Sequence, residues 1–134
     1  MDKDLLQTKL QMLMRCLDRI KSQNIKTLED LEKSIDKQEI IILNLQRAVQ
    51  ICIDIGNHIL IDYSATPATM ADTFKTMGDK GLITKSCANN LAKAVAFRNI
   101  AVHQYDVLDN SIILSVIKEH LTDFSDFAES VSKL

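Results

Sequence analysis

The sequence predicts an all-α fold, an up-and-down bundle of about five helices built around one long central helix. The 134 residues include only three glycines and one proline, which leaves few positions for the tight turns of a sheet protein. Apolar residues recur at three- and four-residue steps along most of the chain, which is the period of a helix with one buried face. Because this length is typical of a single hydrophobic core, we expect residues 1–134 to form one domain.

The first helix is expected between about Asp2 and Ser22. The polar run Ser22-Gln23-Asn24 ends it, and residues 27–31 have room for a short turn before the next helix. Five apolar residues at helical spacing form its buried face: Leu6, Leu10, Leu13, Leu17 and Ile20.

The second helix is the longest and is expected from Asp36, with Glu39 as its capping-box partner, to Tyr63. A helix of this length spans roughly 40 Å. Its apolar residues cover more than one side, which predicts burial on most sides, and in a domain this small a partner subunit is expected to cover one of them. Polar residues interrupt the segment 40–61 so often that it is too polar to span a bilayer.

Three further helices are expected in the second half of the chain. Pro67 breaks the helical pattern, residues 69–77 form a third helix closed by Gly78, and a fourth helix begins at Lys85. The pair Asp109-Asn110 is a strong N-cap for a fifth helix that continues to the C-terminus. The inward positions of the fourth helix are expected to be Leu91, Ala94, Val95, Ile100 and Val102.

Charge, cysteine content and the N-terminal residues predict a cytoplasmic protein that makes no contact with a membrane. The formal charge of −2 provides no general basic field, so contact with nucleic acid requires a local patch. Cys16, Cys52 and Cys87 are far apart and form no CxxC pair, which favours three buried thiols in a reducing compartment over a disulfide or a metal site. The charged first residues lack the apolar run of a secretion signal.

The stretch from Arg98 to Tyr105 gathers a guanidinium, a carboxamide, an imidazole and a phenol into eight residues. On an ideal helix Arg98 and His103 point about 140° apart, whereas Asn99 and His103 share a face. Three arrangements are compatible with this angle. The helix is kinked near Val102, the two side chains lie at opposite edges of a groove, or each side chain acts with the motif of a second copy of the chain. A plainer interpretation gives Arg98 a surface ion pair and His103 a role as a helix C-terminal cap.

A second polar cluster, Asp54, Asn57 and His58, lies within the long apolar helix. Asp54 and His58 are one turn apart, so they are expected to be able to hydrogen-bond. They form either a satisfied polar pair at a helix interface or a supporting part of the same cleft as Arg98 and His103. His120, beside charged residues on the fifth helix, is expected to be solvated.

Phosphate chemistry on RNA fits these residues best. The chain has no Walker-type glycine loop, no HExxH and no serine-centred elbow. A histidine can take a proton from a ribose 2′-hydroxyl or give one to a leaving oxygen, and an arginine can hold the phosphate. RNA carries that hydroxyl as an internal nucleophile and DNA does not.

The segment Arg98-Asn99-Ile100-Ala101-Val102-His103-Gln104-Tyr105 resembles the R-x4-H-x-Y signature of the HepT toxins, a family of the HEPN superfamily of helical domains. The resemblance extends over nearly the whole chain. It includes residues 42–48, 52–59, 72–74, 81–84 and 121–124.

The resemblance implies a single HEPN-like domain that forms a homodimer, with the motifs lining a cleft at the interface. It implies a metal-independent endoribonuclease, the toxin of a type II toxin–antitoxin system, which uses Arg98 and His103 on an RNA such as a tRNA or an mRNA, with Asn99 in support and without a cofactor. The partner implied is an MntA-like nucleotidyltransferase antitoxin that modifies the motif tyrosine, by position Tyr105, with AMP. The added negative charge, two residues from the imidazole, is expected to repel an RNA phosphate.

Two other functions are compatible with the same residues. The chain could be a non-catalytic subunit that presents a nucleotide or substrate to a nucleotidyltransferase, since a polar cleft serves binding as well as turnover. It could also be a purely structural helical dimer, although that leaves the clustered motif unexplained.

Overall fold

The computed structural model describes residues 1–103 and 109–134, except for the side chain of His103. All regular secondary structure in these ranges is helical, which confirms the predicted all-α class. The helices, with one π-helical turn before the last, are α1 (Lys3–Lys21), α2 (Leu28–Glu32), α3 (Ile35–Ile61), α4 (Met70–Asp79), α5 (Lys85–His103), α6 (Asn110–Ser115), the π turn (Val116–His120) and α7 (Leu121–Ser132).

The long helix α3 begins slightly earlier than its sequence predicts. Ser34, in extended conformation, is the N-cap, and its hydroxyl accepts a hydrogen bond from the backbone N–H of Lys37. The predicted start near Asp36 is correct to one residue, but the cap is Ser34 rather than Asp36 with Glu39, because Asp36 already lies within the first turn of the helix. The predicted short turn at residues 27–31 is α2, where Thr27 and Asp30 form a capping box.

Helix α4 continues through Gly78, which the sequence predicts to end it. A Cβ at Gly78 would lie 2.8 Å from the Cβ of Ala88, so this glycine permits close packing of α4 on α5 rather than a turn. The turn falls at Gly81, whose φ of 73° is in the left-handed region. The predicted N-cap Asp109 is confirmed, since its carboxylate accepts from the N–H of Ser111.

Helix α3 is the centre of the bundle and packs against α1, α2, α4, α5 and α7 of the same chain. Most of its apolar residues are thus covered within one chain, whereas Leu43 remains 44% exposed, so the breadth of its apolar surface does not itself require a partner subunit. None of the helices in the described ranges combines the length and the apolar character needed to cross a membrane.

The three cysteines are buried and unpaired, as the sequence predicts. Burial raises the pKa of the Cys52 thiol well above its usual value. Burial, with the nearby carboxylates of Asp123 and Asp126, raises the pKa of Cys87 to about 11. Burial also raises the pKa of Cys16, although Arg47 partly offsets the effect. These thiols are therefore mainly protonated at neutral pH, where a protonated thiol is a poor nucleophile.

The contact between α3 and α4 depends on the absence of a side chain at Gly56. A Cβ there would lie 2.7 Å from Cγ2 of Thr73 and 3.0 Å from Sδ of Met77. Thr73 is fully buried, and its hydroxyl donates to Oδ1 of Asn57 at 2.7 Å, so it has no room to move aside.

We expect Gly56→Ala to lower the free energy of unfolding by about 1–2 kcal/mol, because overpacking outweighs the gain in helix propensity of about 1 kcal/mol. Urea denaturation followed by circular dichroism measures the change. Asn89→Ala, at an exposed position of α5, is the matched control and should change stability by less than about 0.5 kcal/mol. Equal or greater stability of Gly56→Ala would contradict this account of the contact.

Candidate active site around Arg98

Arg98 lies on α5, and two neutral amides hold its half-buried side chain. Its Nη2 donates to Oε1 of Gln50 on α3 at 3.0 Å, and its Nη1 donates to Oδ1 of Asn99 at 3.2 Å. Arg98 forms no ion pair with a carboxylate among the residues that the structure describes. The guanidinium is thus oriented without direct neutralisation by a carboxylate from these residues, which disfavours the surface ion pair considered above.

Gln50 connects Arg98 to Asp54, one of the predicted supporting residues. Its Nε2 donates to Oδ1 of Asp54, one turn further along α3, at 2.9 Å. The Nζ of Lys9 on α1 lies 4.0 Å from the other carboxylate oxygen of Asp54. Sequence reasoning missed Gln50, although its spacing of four residues from Asp54 was a usable signal.

The predicted hydrogen bond between Asp54 and His58 is absent among the bonds of the described residues. The carboxylate of Asp54 turns toward Gln50, in the preceding turn of α3, because the amide there offers a donor. His58 is exposed, and it borders a shallow surface hollow of about 420 Å³ together with Lys9, Asp54 and Asn57. Asn57 in turn accepts the hydroxyl of Thr73 and so helps to join α3 to α4.

The motif helix α5 is continuous from Lys85 to His103. Five residues of an ideal helix turn through about 140° around its axis beyond one full turn, which is the separation of positions 98 and 103 in the sequence. The side chain of His103 and the whole of Tyr105 lie outside the described residues.

Two apolar residues of the motif that are predicted to face inward are exposed. Ile100 is 41% exposed and Val102 is 45% exposed, whereas Ala101 between them is 3% exposed. The motif is therefore anchored to the bundle through the small Ala101, because only this side of α5 faces the core at that level. Val102 exposes apolar surface one turn after Arg98, whereas Ile100 is exposed on a different side of α5, because residues two apart point about 160° apart on a helix.

A further polar cluster surrounds Asp123, and sequence reasoning missed it. Its carboxylate accepts from Nδ2 of Asn90 at 3.1 Å and lies 3.0 Å from Nδ1 of His120. The side chain of His120 is 44% exposed, so it is partly solvated as predicted, but it is also paired with Asp123, which the sequence does not predict. The cluster borders a mainly apolar cavity of about 340 Å³ that Phe97 and Phe124 help to line.

Potential metal ligands do not converge in the described part of the chain. No three side chains of His, Cys, Asp or Glu come close enough there to hold an ion. The hydrogen bonds described above make one connected site of four residues: Arg98, Asn99, Gln50 and Asp54.

Comparison with known proteins identifies the family. The model of the family described as Ribonuclease HepT-like matches residues 13–131. The chain is 36% identical over 129 residues to the mRNA nuclease HepT of Shewanella oneidensis, covering 96% of each protein. It is 28% identical over 129 residues to the tRNA nuclease HepT of Aphanizomenon flos-aquae, covering 96% of this chain and 88% of that protein.

Solved structures give the same result for the fold. The tri-AMPylated HEPN toxin of Shewanella oneidensis, determined in complex with its MNT antitoxin, superposes with a TM-score of 0.91 at 33% identity, covering 100% of both chains. Sequence and fold thus agree over nearly the full length of the chain. The chain belongs to the HepT-like ribonuclease family.

Proposed function

We propose that this chain is the toxin of a type II toxin–antitoxin system and cleaves RNA in the cytoplasm without a metal ion, acting as a single domain with Arg98 and His103 as its catalytic residues. Two relatives named as an mRNA nuclease and a tRNA nuclease support an RNA substrate. The observation that carries the proposal is the way in which the Arg98 side chain is held. Neutral amides of Gln50 and Asn99 orient its guanidinium, five residues before His103, and leave its charge available for a phosphate.

In the proposed reaction a neutral His103 imidazole takes the proton of a ribose 2′-hydroxyl. The 2′-oxygen then bonds to the adjacent phosphorus, while the bond from phosphorus to the 5′-oxygen of the next nucleotide breaks. A protonated imidazole gives its proton to that leaving oxygen, so one product ends in a 2′,3′-cyclic phosphate and the other begins with a 5′-hydroxyl. Arg98 donates to the non-bridging oxygens, where negative charge accumulates in the transition state.

A homodimer would supply both protonation states of the histidine in one cleft, one copy acting as base and the other as acid. Two features of α5 support this assembly. Val102, one turn after Arg98, exposes apolar surface beside the motif, which a second copy would cover. The angle of about 140° between Arg98 and His103 also lets the arginine of one chain approach the histidine of the other.

The supporting residues act through Arg98 in this proposal. Asn99 and Gln50 set the direction of the guanidinium, and Asp54 holds Gln50 in place. His58 lies beside Asp54, on the side away from Gln50, and contributes to the electrostatic field near the cleft.

We further propose that an MntA-like nucleotidyltransferase is the antitoxin and transfers AMP to Tyr105. The phenol oxygen of Tyr105 would bond to the α-phosphorus of ATP, with release of pyrophosphate. The attached phosphodiester would carry negative charge two residues from His103, where it would repel RNA. The solved toxin–antitoxin complex with a tri-AMPylated relative supports this regulation.

Arg98→Ala and His103→Ala should each lower the RNA cleavage rate of the partner-free protein by at least about 10²-fold, because each removes one half of the proposed chemistry. Cleavage of total RNA is followed on denaturing gels, with and without EDTA, and the chelator should have no effect. His120→Ala is the matched control, since it removes a histidine outside the motif. It should leave cleavage unchanged.

Full cleavage by either motif variant would refute the assignment of catalytic residues. Loss of cleavage in EDTA would refute the metal-independent mechanism. A wild-type protein that binds RNA but never cleaves it would favour the alternative of a non-catalytic binding subunit.

Incubation with the cognate nucleotidyltransferase and ATP should add one or more adenylyl groups to the chain and inactivate it. Intact-mass spectrometry and the cleavage assay follow the two effects. Tyr105→Phe should accept no AMP, and it should still cleave RNA after incubation with the nucleotidyltransferase and ATP. Tyr63→Phe is the control, because Tyr63 is the only other tyrosine and is 45% exposed, and it should be modified like the wild type. Modification of Tyr105→Phe to the wild-type extent would exclude Tyr105 as the target.

A further inference from the structure

Helices α1 and α3 run antiparallel and leave a surface groove of about 750 Å³ between them. Lys9 of α1 lies opposite Asp54 of α3 at one end, and Cys16 lies near Arg47 in the middle. Three arginines line this groove: Arg15, Arg19 and Arg47. We call it the arginine groove.

The arginine groove concentrates cationic charge in a chain whose net charge is −2. It holds three of the four arginines of the chain, and all three are exposed. None of them is ion-paired with a carboxylate among the described residues. Arg15 and Arg19 are one helical turn, about 6 Å of helical rise, apart on the same face of α1, and Arg47 lies on α3 near Cys16. Several planar guanidiniums along one groove are suited to binding successive anions of one polymer.

One end of the arginine groove leads to Arg98. Gln50 lines the groove and also accepts the hydrogen bond of the Arg98 guanidinium at 3.0 Å. Among the described residues, Asp54 is the one acidic side chain that lines the groove, and it lies at this same end, bonded to Gln50. The rest of the groove therefore presents positive charge that continues from the site of the proposed chemistry.

We propose that the arginine groove binds the sugar–phosphate backbone of the RNA strand next to the phosphate held by Arg98. This inference rests on the proposed function and adds a substrate-binding surface to it. An RNA strand held at Arg98 must continue beyond the scissile phosphate, and its next phosphates meet the cations along the groove. Met12 and Leu43, 46% and 44% exposed, flank these cations and provide apolar surface for unstacked bases. Continuity with Arg98 favours RNA over an acidic protein as the occupant.

The test is the triple variant Arg15→Ala, Arg19→Ala, Arg47→Ala. Binding of the partner-free protein to a single-stranded 2′-O-methyl RNA, which lacks the nucleophile, is titrated over a range of salt concentrations. Loss of three phosphate contacts should weaken binding about 50-fold at 0.15 M salt. It should also reduce the magnitude of the negative slope of log K, the logarithm of the association constant, against log salt by about 2. With cleavable RNA, KM should rise and kcat at saturation should be unchanged.

A control variant removes the same number of charges elsewhere on the surface. It should bind RNA with nearly the wild-type affinity and salt slope. It substitutes alanine for three exposed lysines, one on α4, one at its C-terminal cap and one at the start of α5: Lys75, Lys80 and Lys85.

Equal effects of the two triple variants would overturn the proposal, because the groove would then act only through net charge. The proposal would also fail if the groove variant bound RNA normally but lost affinity for the nucleotidyltransferase or changed its sedimentation coefficient, since the groove would then be a protein interface. Circular dichroism checks that the variants are folded. If the triple variant is unfolded, the three single variants provide the test, because each should reduce the magnitude of the salt slope by about 0.7.

Different results would refute the proposed nuclease function and the proposed role of the arginine groove. If the wild-type protein binds RNA through the groove but does not cleave it, the nuclease mechanism is wrong and the groove stands. If it cleaves RNA and the groove variant has the wild-type KM, the groove is wrong and the mechanism stands.

Discussion

Helix α3 packs against five other helices of the same chain, and this packing decides where its polar side chains reach the surface. On the sides that the neighbouring helices cover, a polar side chain of α3 can reach solvent or another helix only through a gap between them. Gln50 reaches Arg98 on α5, and Arg47 emerges beside α1. Close packing at Gly56 holds α4 against the opposite side. The positions of the candidate site and of the arginine groove therefore follow from how one helix is covered.

The chemistry of the site depends on what holds Arg98. An arginine bonded directly to a carboxylate has its charge largely matched by its partner, whereas a neutral amide orients the guanidinium and leaves the charge for a ligand. In this chain the nearest acidic group of the network, Asp54, is bonded to the amide of Gln50 rather than to Arg98. That arrangement combines a fixed direction with an available charge, and both are needed to stabilise a phosphate in the transition state.

Much of the fold could be predicted from the sequence, because helical periodicity and cap residues are local signals. The boundaries of α1 and the N-cap Asp109 are examples. Gly78 was mistaken for a helix end because the same residue type serves turns and close helix contacts, and only the position of Ala88 separates the two. Ile100 and Val102 were placed inward because an apolar residue on a helix usually faces a core. Arg98 could be found from its motif. The contact between Arg98 and Gln50 could not, since 48 residues separate them, and the four-residue spacing of Gln50 and Asp54 indicates only the bond between those two.

The most direct test of the account is the kcat/KM for RNA cleavage of Gln50→Glu beside that of Gln50→Ala. If the neutral amide matters because it leaves the charge of Arg98 available, a carboxylate at this position should neutralise the guanidinium. Gln50→Glu should then lose at least about tenfold more activity than Gln50→Ala, which only loosens the arginine. Wild-type cleavage by Gln50→Glu, or equal losses in the two variants, would contradict the central role given to the charge of Arg98.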